Sequence, residues 1–415
     1  MSNEVAAIAV DVGDLPLGGG LLALVRPALN ALDPGGVLAV LSRASSVSED
    51  LPSWCRAEAH EYLAVQEISP GVERHLIARG RFAISIPINH QSRLETPQRS
   101  LSSQEMLDVE PFPGSADPVT GFAPRGARVE QGGPTYPFTL NERAHVAPPE
   151  IAKLYDQAVA AQWDANSDIP WAKVKSLPAE VECALGQVMT FLAENELSAL
   201  YVPSRFIARI HPHFAEVAMF LATQLADEAR HIDVFLKRAR LCGRGLGISS
   251  VITSRSLLSL LQCDDFIEAT FLLSVLGEGT FLDLLSFIER FAPDEATAEL
   301  TRRAKNDETR HVHFGLAHVR FGLATDPSLY RRLEATVRRR SATLHGAGGV
   351  PAPLQDALTI LAAGGSEPRS VARGHECYRE LLETMHLSRI KRLGHAGFTA
   401  EQAEMLSLLH TPNFM

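Results

Sequence analysis

Two pentapeptides, Asp227-Glu228-Ala229-Arg230-His231 and Asp307-Glu308-Thr309-Arg310-His311, share the pattern DExRH and decide how the rest of the chain is read. In an α-helix, positions i and i+3 lie on one face, so each Glu and His can grip one metal ion together. Carboxylate oxygen combined with imidazole nitrogen suits iron or manganese. A lone ExxH is a weak signal, because helices place Glu and His at this spacing by chance. Two copies of the longer pattern, eighty positions apart, are much harder to reach by accident.

A two-metal site in a helix bundle also needs a Glu from each of the two remaining helices. Each should lie about thirty residues upstream of an ExxH, where the preceding antiparallel helix passes the same level. Glu278 in SVLGEGTFLDLL meets this requirement for Glu308, and burying it unpaired among Leu276, Phe281 and Leu282 would be costly. The first half offers Glu194 and Glu196 in TFLAENELSAL. Glu196 is preferred, because aligning Phe206-Ile207 with Phe287-Ile288 sets it within one residue of Glu278; Glu194 is the alternative. The chain thus contains an internal repeat of Glu-helix, turn and ExxH-helix. Exposed, salt-bridged helix faces would leave the apolar neighbours of Glu278 unexplained.

Outward from this core, helical periodicity runs from about residue 148 almost to the end. It predicts helices over roughly 149–165, 178–208, 212–241, 254–291, 293–322, 327–345, 352–364, 370–392 and 399–409, with prolines near many joints. The stretch 88–137 is rich in Pro, Gly, Ser, Gln and Arg and reads as a linker or wrapping segment. Before it, AIAVD (7–11) suits a strand, 17–33 a helix, VLAVLS (37–42) a strand, 50–63 a second helix and 74–86 further strands. The expected organisation is a small α/β sandwich over 1–90, a linker over 91–147, a di-metal helical bundle over 148–325 and a helical extension over 326–415. The fold class is therefore α+β at the N-terminus followed by an all-α bundle.

Composition narrows the function. With 415 residues, 46% apolar and 21% charged, the chain is of ordinary globular make-up. A net charge of −10 argues against a nucleic-acid partner. No run of eighteen uncharged apolar residues suggests a membrane span. The N-terminus lacks the basic start of a signal peptide. Five scattered cysteines, none spaced as CxxC, fit reduced thiols in the cytoplasm. His211-Pro212-His213 reads as a polar helix start rather than a ligand set, and His313 points off the ExxH face. Gly18-Gly19-Gly20 lacks the Lys-Ser/Thr ending of a phosphate loop.

Over roughly 140–320, the two DExRH motifs and their upstream Glu residues resemble the ferritin-like di-iron carboxylate superfamily. They look most similar to multicomponent monooxygenase hydroxylases and ribonucleotide reductase small subunits. The resemblance implies that Glu196, Glu228 and His231 bind one iron and Glu278, Glu308 and His311 the other, with manganese–iron as an alternative pair. It implies that Asp227 and Asp307 accept the ring N–H of the opposite His, with Arg230 and Arg310 balancing their charge. The chain departs from those families at three places. Phe235 stands where the reductase subunits carry a radical tyrosine. Leu282, with Thr280 nearby, stands where hydroxylases carry a threonine. Ala304 stands where arylamine N-oxygenases add a histidine.

The N-terminal pieces VDVGDLPL, DPGGVLAVLS, LPSWCRAEAHEYL and HLIARG are similar to the TusA-like sulfur carriers. The nucleophilic Cys of that family is replaced within Leu15-Pro16-Leu17-Gly18, so no thiolate can carry sulfur there unless Cys55 substitutes. The expected activity is that of a di-iron enzyme using O2 on a small organic substrate, to oxygenate or desaturate it. Its partners would be an external electron donor and, through the N-terminal region, a reductase, a carrier-bound substrate or a second copy in a homodimer. A ferritin-like protein that reduces peroxide or oxidises iron, or a scaffold, is the alternative. An oxygenase should hold a pocket of roughly 300–1,000 Å3 beside its metals.

Overall fold

A computed structural model describes residues 6–81, 101–103, 105, 113–127, 129, 130, 132–344 and 349–410. The chain separates into two compact units, Met1–Pro97 and Gln98–Met415.

The first unit runs β1 (Ile8–Gly13), α1 (Leu21–Asn30), β2 (Val37–Ser42), α2 (Val47–Ala57), β3 (Glu61–Ser69) and β4 (Val72–Ala78). The sheet order is β1-β2-β4-β3. β1 and β2 pair in parallel across α1, while β4 pairs antiparallel with both β2 and β3. Leu21, Val25, Leu29, Leu38, Val40, Leu51 and Ile77 form its core.

Two expectations for this unit need correcting. The helix expected over 50–63 starts at Val47 and ends at Ala57, and residues 61–63 open strand β3 instead. Ala59 turns the chain into the left-handed region at φ 59°, which no helix can continue through. Gly80 lies so close beneath this turn that a Cβ there would meet the Ala59 carbonyl oxygen at 1.6 Å. The strand expected over 74–86 ends at Ala78, and residues 82–86 lie outside the described residues.

Most of the linker expected over 91–147 also lies outside the described residues as far as 112. From 113 onward the chain is held against the helices. Leu140 bridges to Ile210, and Arg125 pairs with the buried Glu216 at 2.6 Å. A short helix α3 (Arg143–Val146) closes the segment.

The second unit continues with α4 (Ile151–Ala160), α5 (Ala179–Ile207), α6 (Ala215–Arg240) and α7 (Val251–Leu261). A long apolar helix follows over Phe266–Arg290, here α8, then α9 (Glu295–Thr325). The remaining helices are α10 (Leu329–Leu344), α11 (Ala352–Ala363), α12 (Pro368–His395) and α13 (Ala400–Leu409). α5 packs on α6, α8 on α9, and α6 on α9, which gives a ferritin-like four-helix bundle; α11 covers α5, and α12 covers α8.

The single helix expected over 254–291 is interrupted between Leu261 and Phe266. Asp265 accepts a hydrogen bond from the Glu268 backbone N–H at 3.0 Å, and this cap starts a new helix. α8 then widens into a π-helical stretch over Phe271–Glu278. α8 is long and apolar enough to cross a membrane, but 83% of its most apolar window is buried inside the protein, as befits a core helix.

At the far end of α6, Arg238 is fully buried and fastens three helices. It donates to Glu182 of α5 at 2.7 Å, to Asp294 at the start of α9 at 3.3 Å and to Thr297 at 2.9 Å.

Candidate metal centre

Glu228 and His231 lie mid-length on α6, and Glu308 and His311 on α9. Glu196 of α5 and Glu278 at the end of the π stretch face them. None of the six side chains is more than 1% exposed. They fall into two overlapping sets whose donor atoms lie within 4.8 Å of one another: Glu196, Glu228, His231 and Glu308, and Glu228, Glu278, Glu308 and His311. Glu228 and Glu308 belong to both sets, so these two carboxylates stand between two positions while Glu196 and Glu278 stand at the ends. The resemblance implies three ligands for each ion; in the structure Glu228 and Glu308 stand within reach of both positions. Glu194, the alternative first ligand, is only half-buried and belongs to neither set.

The imidazoles face one another with centroids 6.3 Å apart. His231 Nδ1 lies 3.3 Å from both Glu228 and Glu308, and 3.7 Å from Glu196. His311 Nδ1 lies 3.1 Å from Glu228 and 3.4 Å from Glu308. Both rings therefore turn Nδ1 inward. Each Nε2–H points outward and donates across the bundle, His231 to Asp307 at 3.1 Å and His311 to Asp227 at 3.2 Å. Those bonds fix the tautomer that leaves Nδ1 free as a ligand atom. Arg230 pairs with Asp227 and lies 3.5 Å from Asp307; Arg310 pairs with Asp307 and lies 3.3 Å from Asp227.

Eight inward atoms have no hydrogen-bond partner: both oxygens of Glu228 and of Glu308, one each of Glu196 and Glu278, and the two Nδ1 atoms. Orphaned polar atoms at this burial would cost several kcal/mol together. Two divalent cations would cancel the four carboxylate charges and fill all eight positions, so the residues fit a two-metal group.

The electrostatics agree. Burial, then neighbouring carboxylates, push Glu196 and Glu278 well above the usual carboxylate range. Burial would also raise Glu228, but His311 and His231 more than offset it and hold it low. Burial opposes charge on both imidazoles, yet the surrounding carboxylates raise them well above the ordinary histidine range. Without ions the cluster shares protons, and ion uptake must release them. Asp307 is held low against burial by His231, Trp163 and Arg310.

Three contributors carry no sequence signal. Trp163 donates its indole N–H to Asp307 at 2.7 Å. Gln162 donates to Asp227 at 3.2 Å. Gln224, one turn before Glu228, donates to Glu278 at 3.2 Å. All three are ordinary residue types at unremarkable spacings, and only the packing brings them to the centre.

Other singled-out residues lie elsewhere. Phe235 is buried with its ring 6.4 Å from His231, so no phenol stands there. Thr280 donates to the Leu276 carbonyl at 2.6 Å, Leu282 is half-buried and Ala304 fully buried. His211 accepts from the His213 backbone N–H at 3.0 Å as a helix start, and His313 is exposed. The Cys55 thiol is buried and pushed up to about 12 by that burial, which removes it as a sulfur-carrying nucleophile.

A cavity lined by Gln224 and Ser274, which both hydrogen-bond Glu278, together with Leu273 and Phe314, holds about 10 Å3, room for about one water molecule. The π stretch closes down on α9 here, where a Cβ on Gly315 would meet Ser274 at 2.6 Å.

No family model matches the sequence, and no curated protein matches it. Among solved structures, the chain is similar to variants of R2-like ligand-binding oxidase. One, with an aerobically reconstituted Mn/Fe cofactor, shares 16% identity over 64% of this chain and 95% of its own, at a TM-score of 0.41. Another, with an Fe/Fe cofactor, shares 18% over 64% and 95%, at 0.44. A third, with Mn/Fe, shares 19% over 64% and 98%, at 0.43. At such distances, what this centre does has to be read from its own side chains.

Proposed function

We propose that the helical unit is a two-metal oxidase that reduces O2 at the Glu228–Glu308 centre, with two iron ions or one manganese and one iron. The observation that carries this reading is the set of eight unpartnered, fully buried donor atoms arranged in two sets that share two carboxylates. Bound there, a pair of ferrous ions supplies electrons jointly to one O2. Glu196, Glu228 and His231 would hold one ion, and Glu278, Glu308 and His311 the other, with Glu228 and Glu308 spanning both. Asp227 and Asp307 keep the imidazoles in the ligating tautomer, and Arg230 and Arg310 pair with those aspartates. The apolar residues around the cluster exclude water.

An oxidised small organic substrate, by oxygenation or desaturation, fits this reading once the π stretch moves away from α9, because the closed cavity admits nothing larger than O2 or water. That same narrowness favours a second reading, peroxide reduction or iron oxidation, in which no bulky substrate enters. Electrons for the organic reaction would come from an external donor. The N-terminal unit, a TusA-like β-α-β-α-β-β arrangement stripped of its thiol, serves in this reading as a docking module for that donor, for a carrier or for a second copy. Five free thiols, two of them exposed, support a reducing, cytoplasmic setting.

The test is stopped-flow mixing of the iron-loaded, anaerobically reduced chain with O2 and, separately, with hydrogen peroxide. Rapid reoxidation by O2, abolished by Glu228→Ala, is the expected result. Reoxidation by peroxide alone would select peroxide reduction, and no reoxidation by either would overturn both readings.

A further inference from the structure

A second candidate site lies on the outer side of the bundle, where α12 splays from α9 over α8. A cleft of about 510 Å3 opens there, within the size range of small-molecule sites. Its floor is apolar, made by Leu282 of α8 and Val312 and Leu316 of α9. Its rim is cationic, with Lys391 and Arg392 from α12 and Arg320 from α9. Two carboxylates answer these three cations. Glu150 takes Arg320 at 2.7 Å. Asp283 is held by Arg392 at 3.3 Å and by the Ser388 hydroxyl at 3.1 Å. Lys391 is exposed and has no ion-pair partner among the described residues, whereas Arg392 is largely buried, reaching Thr280 Oγ1 at 3.4 Å and packing its Nε against Gly279 of α8. A positive mouth over an apolar floor stands out in a chain of net charge −10.

We propose that this cleft binds a small anionic molecule with an apolar body. The anion would sit at Lys391, the exposed and unpaired cation of the rim, and the body would lie across Leu282, Val312 and Leu316. Neutral or cationic molecules of the same shape would gain the floor but not the rim. Buried apolar area would supply most of the affinity, and the charge would supply the choice of ligand. None of the six metal-centre residues lines the cleft, so the site is distinct from that centre.

The probe pair is 8-anilinonaphthalene-1-sulfonate and N-phenyl-1-naphthylamine, which share one apolar body and differ by the sulfonate. Fluorescence titration of the full, metal-loaded chain should show one saturable site for the sulfonate and affinity about tenfold weaker for the neutral amine. Lys391→Glu should weaken the sulfonate about tenfold while leaving the amine and the metal content unchanged, since Lys391 is exposed. Leu316→Asn, which makes the floor polar without adding charge, should weaken both probes. Equal binding of the two probes, or sulfonate binding shifted less than about twofold by Lys391→Glu, would overturn the proposal. So would sedimentation showing that Lys391→Glu separates a dimer, because the cleft would then be covered by another copy of the chain.

Discussion

The two halves of the internal repeat carry nearly the same motif and put it to unequal use. Asp227, Glu228, Arg230 and His231 match Asp307, Glu308, Arg310 and His311 in burial and in bonding, each His reaching to the other half's Asp. The surroundings differ at the same eighty-residue offset. Gln224 of the first half donates to Glu278, while its counterpart is Ala304, which offers Glu196 nothing. Arg238 is a buried cation fastened to two carboxylates, while its counterpart His318 is a buried neutral ring donating to the His145 carbonyl at 2.9 Å. Phe235 of the first half has Gly315 as its counterpart in the second, the glycine that lets the π stretch close on α9. Symmetry is thus kept in the ligand set and abandoned around it. Inequivalent ends of one centre are what a site holding two different ions, or directing O2 to one side, would need.

The largest expected effect breaks the symmetric part. Glu228→Ala and Glu308→Ala each remove a carboxylate that serves both positions. Metal analysis after anaerobic iron loading should therefore fall from about two ions per chain to less than about half an ion in either variant. Glu196→Ala and Glu278→Ala each strip one end only and should retain about one ion. If the terminal variants lose as much metal as the shared ones, the sharing is wrong.

A third effect separates Arg238 from His318 and is read in stability. His318 is pushed down to about 4 by burial, so it stays neutral in the fold. The unfolded chain takes up that proton below about 6.5, so the folded state keeps its full stability above that pH. Stability is then lost as pH falls from about 6.5 to about 4, by roughly 3 kcal/mol. Urea unfolding of the chain and of His318→Gln across this range should diverge, with the variant showing the shallower fall. Parallel curves would remove His318 from the explanation.

How much of this could be read in advance follows from where the information sits. The convergence of Glu196, Glu228, His231, Glu278, Glu308 and His311 was legible because a two-metal bundle demands particular residue types at particular helical spacings, and Glu278 in an apolar helix had no cheaper explanation. The helix boundaries from Ala179 onward were legible from periodicity and prolines. The break at Asp265 was not, because one capping side chain outweighed an unbroken apolar period. β3 was hidden because Glu61–Ser69 is mostly exposed and shows little of the alternation that marks a half-buried strand. Trp163, Gln162 and Gln224 act through packing alone.

The fourth effect is smaller and probes that packing. Asp307→Asn and Asp227→Asn should weaken metal affinity about 10- to 100-fold. The Asp307 change should be the larger, because Asp307 also holds Trp163 whereas Asp227 holds the more exposed Gln162. Equal losses would mean that Trp163 contributes nothing to the centre. The smallest effect tests the asymmetry itself. Gln224→Ala copies the environment of Glu196 onto Glu278 and should weaken the ion on the Glu278 side by only about 5-fold, the worth of one hydrogen bond. Competition between manganese and iron should become less selective in that variant; unchanged selectivity would place the asymmetry elsewhere.

Diffraction at the iron edge from crystals of the full chain loaded with ferrous iron examines the paired centre most directly. Two anomalous peaks should lie roughly 3.5–4 Å apart, flanked by Glu228 and Glu308 on both sides. A single peak there, or iron bound elsewhere with those two carboxylates bare, would contradict it.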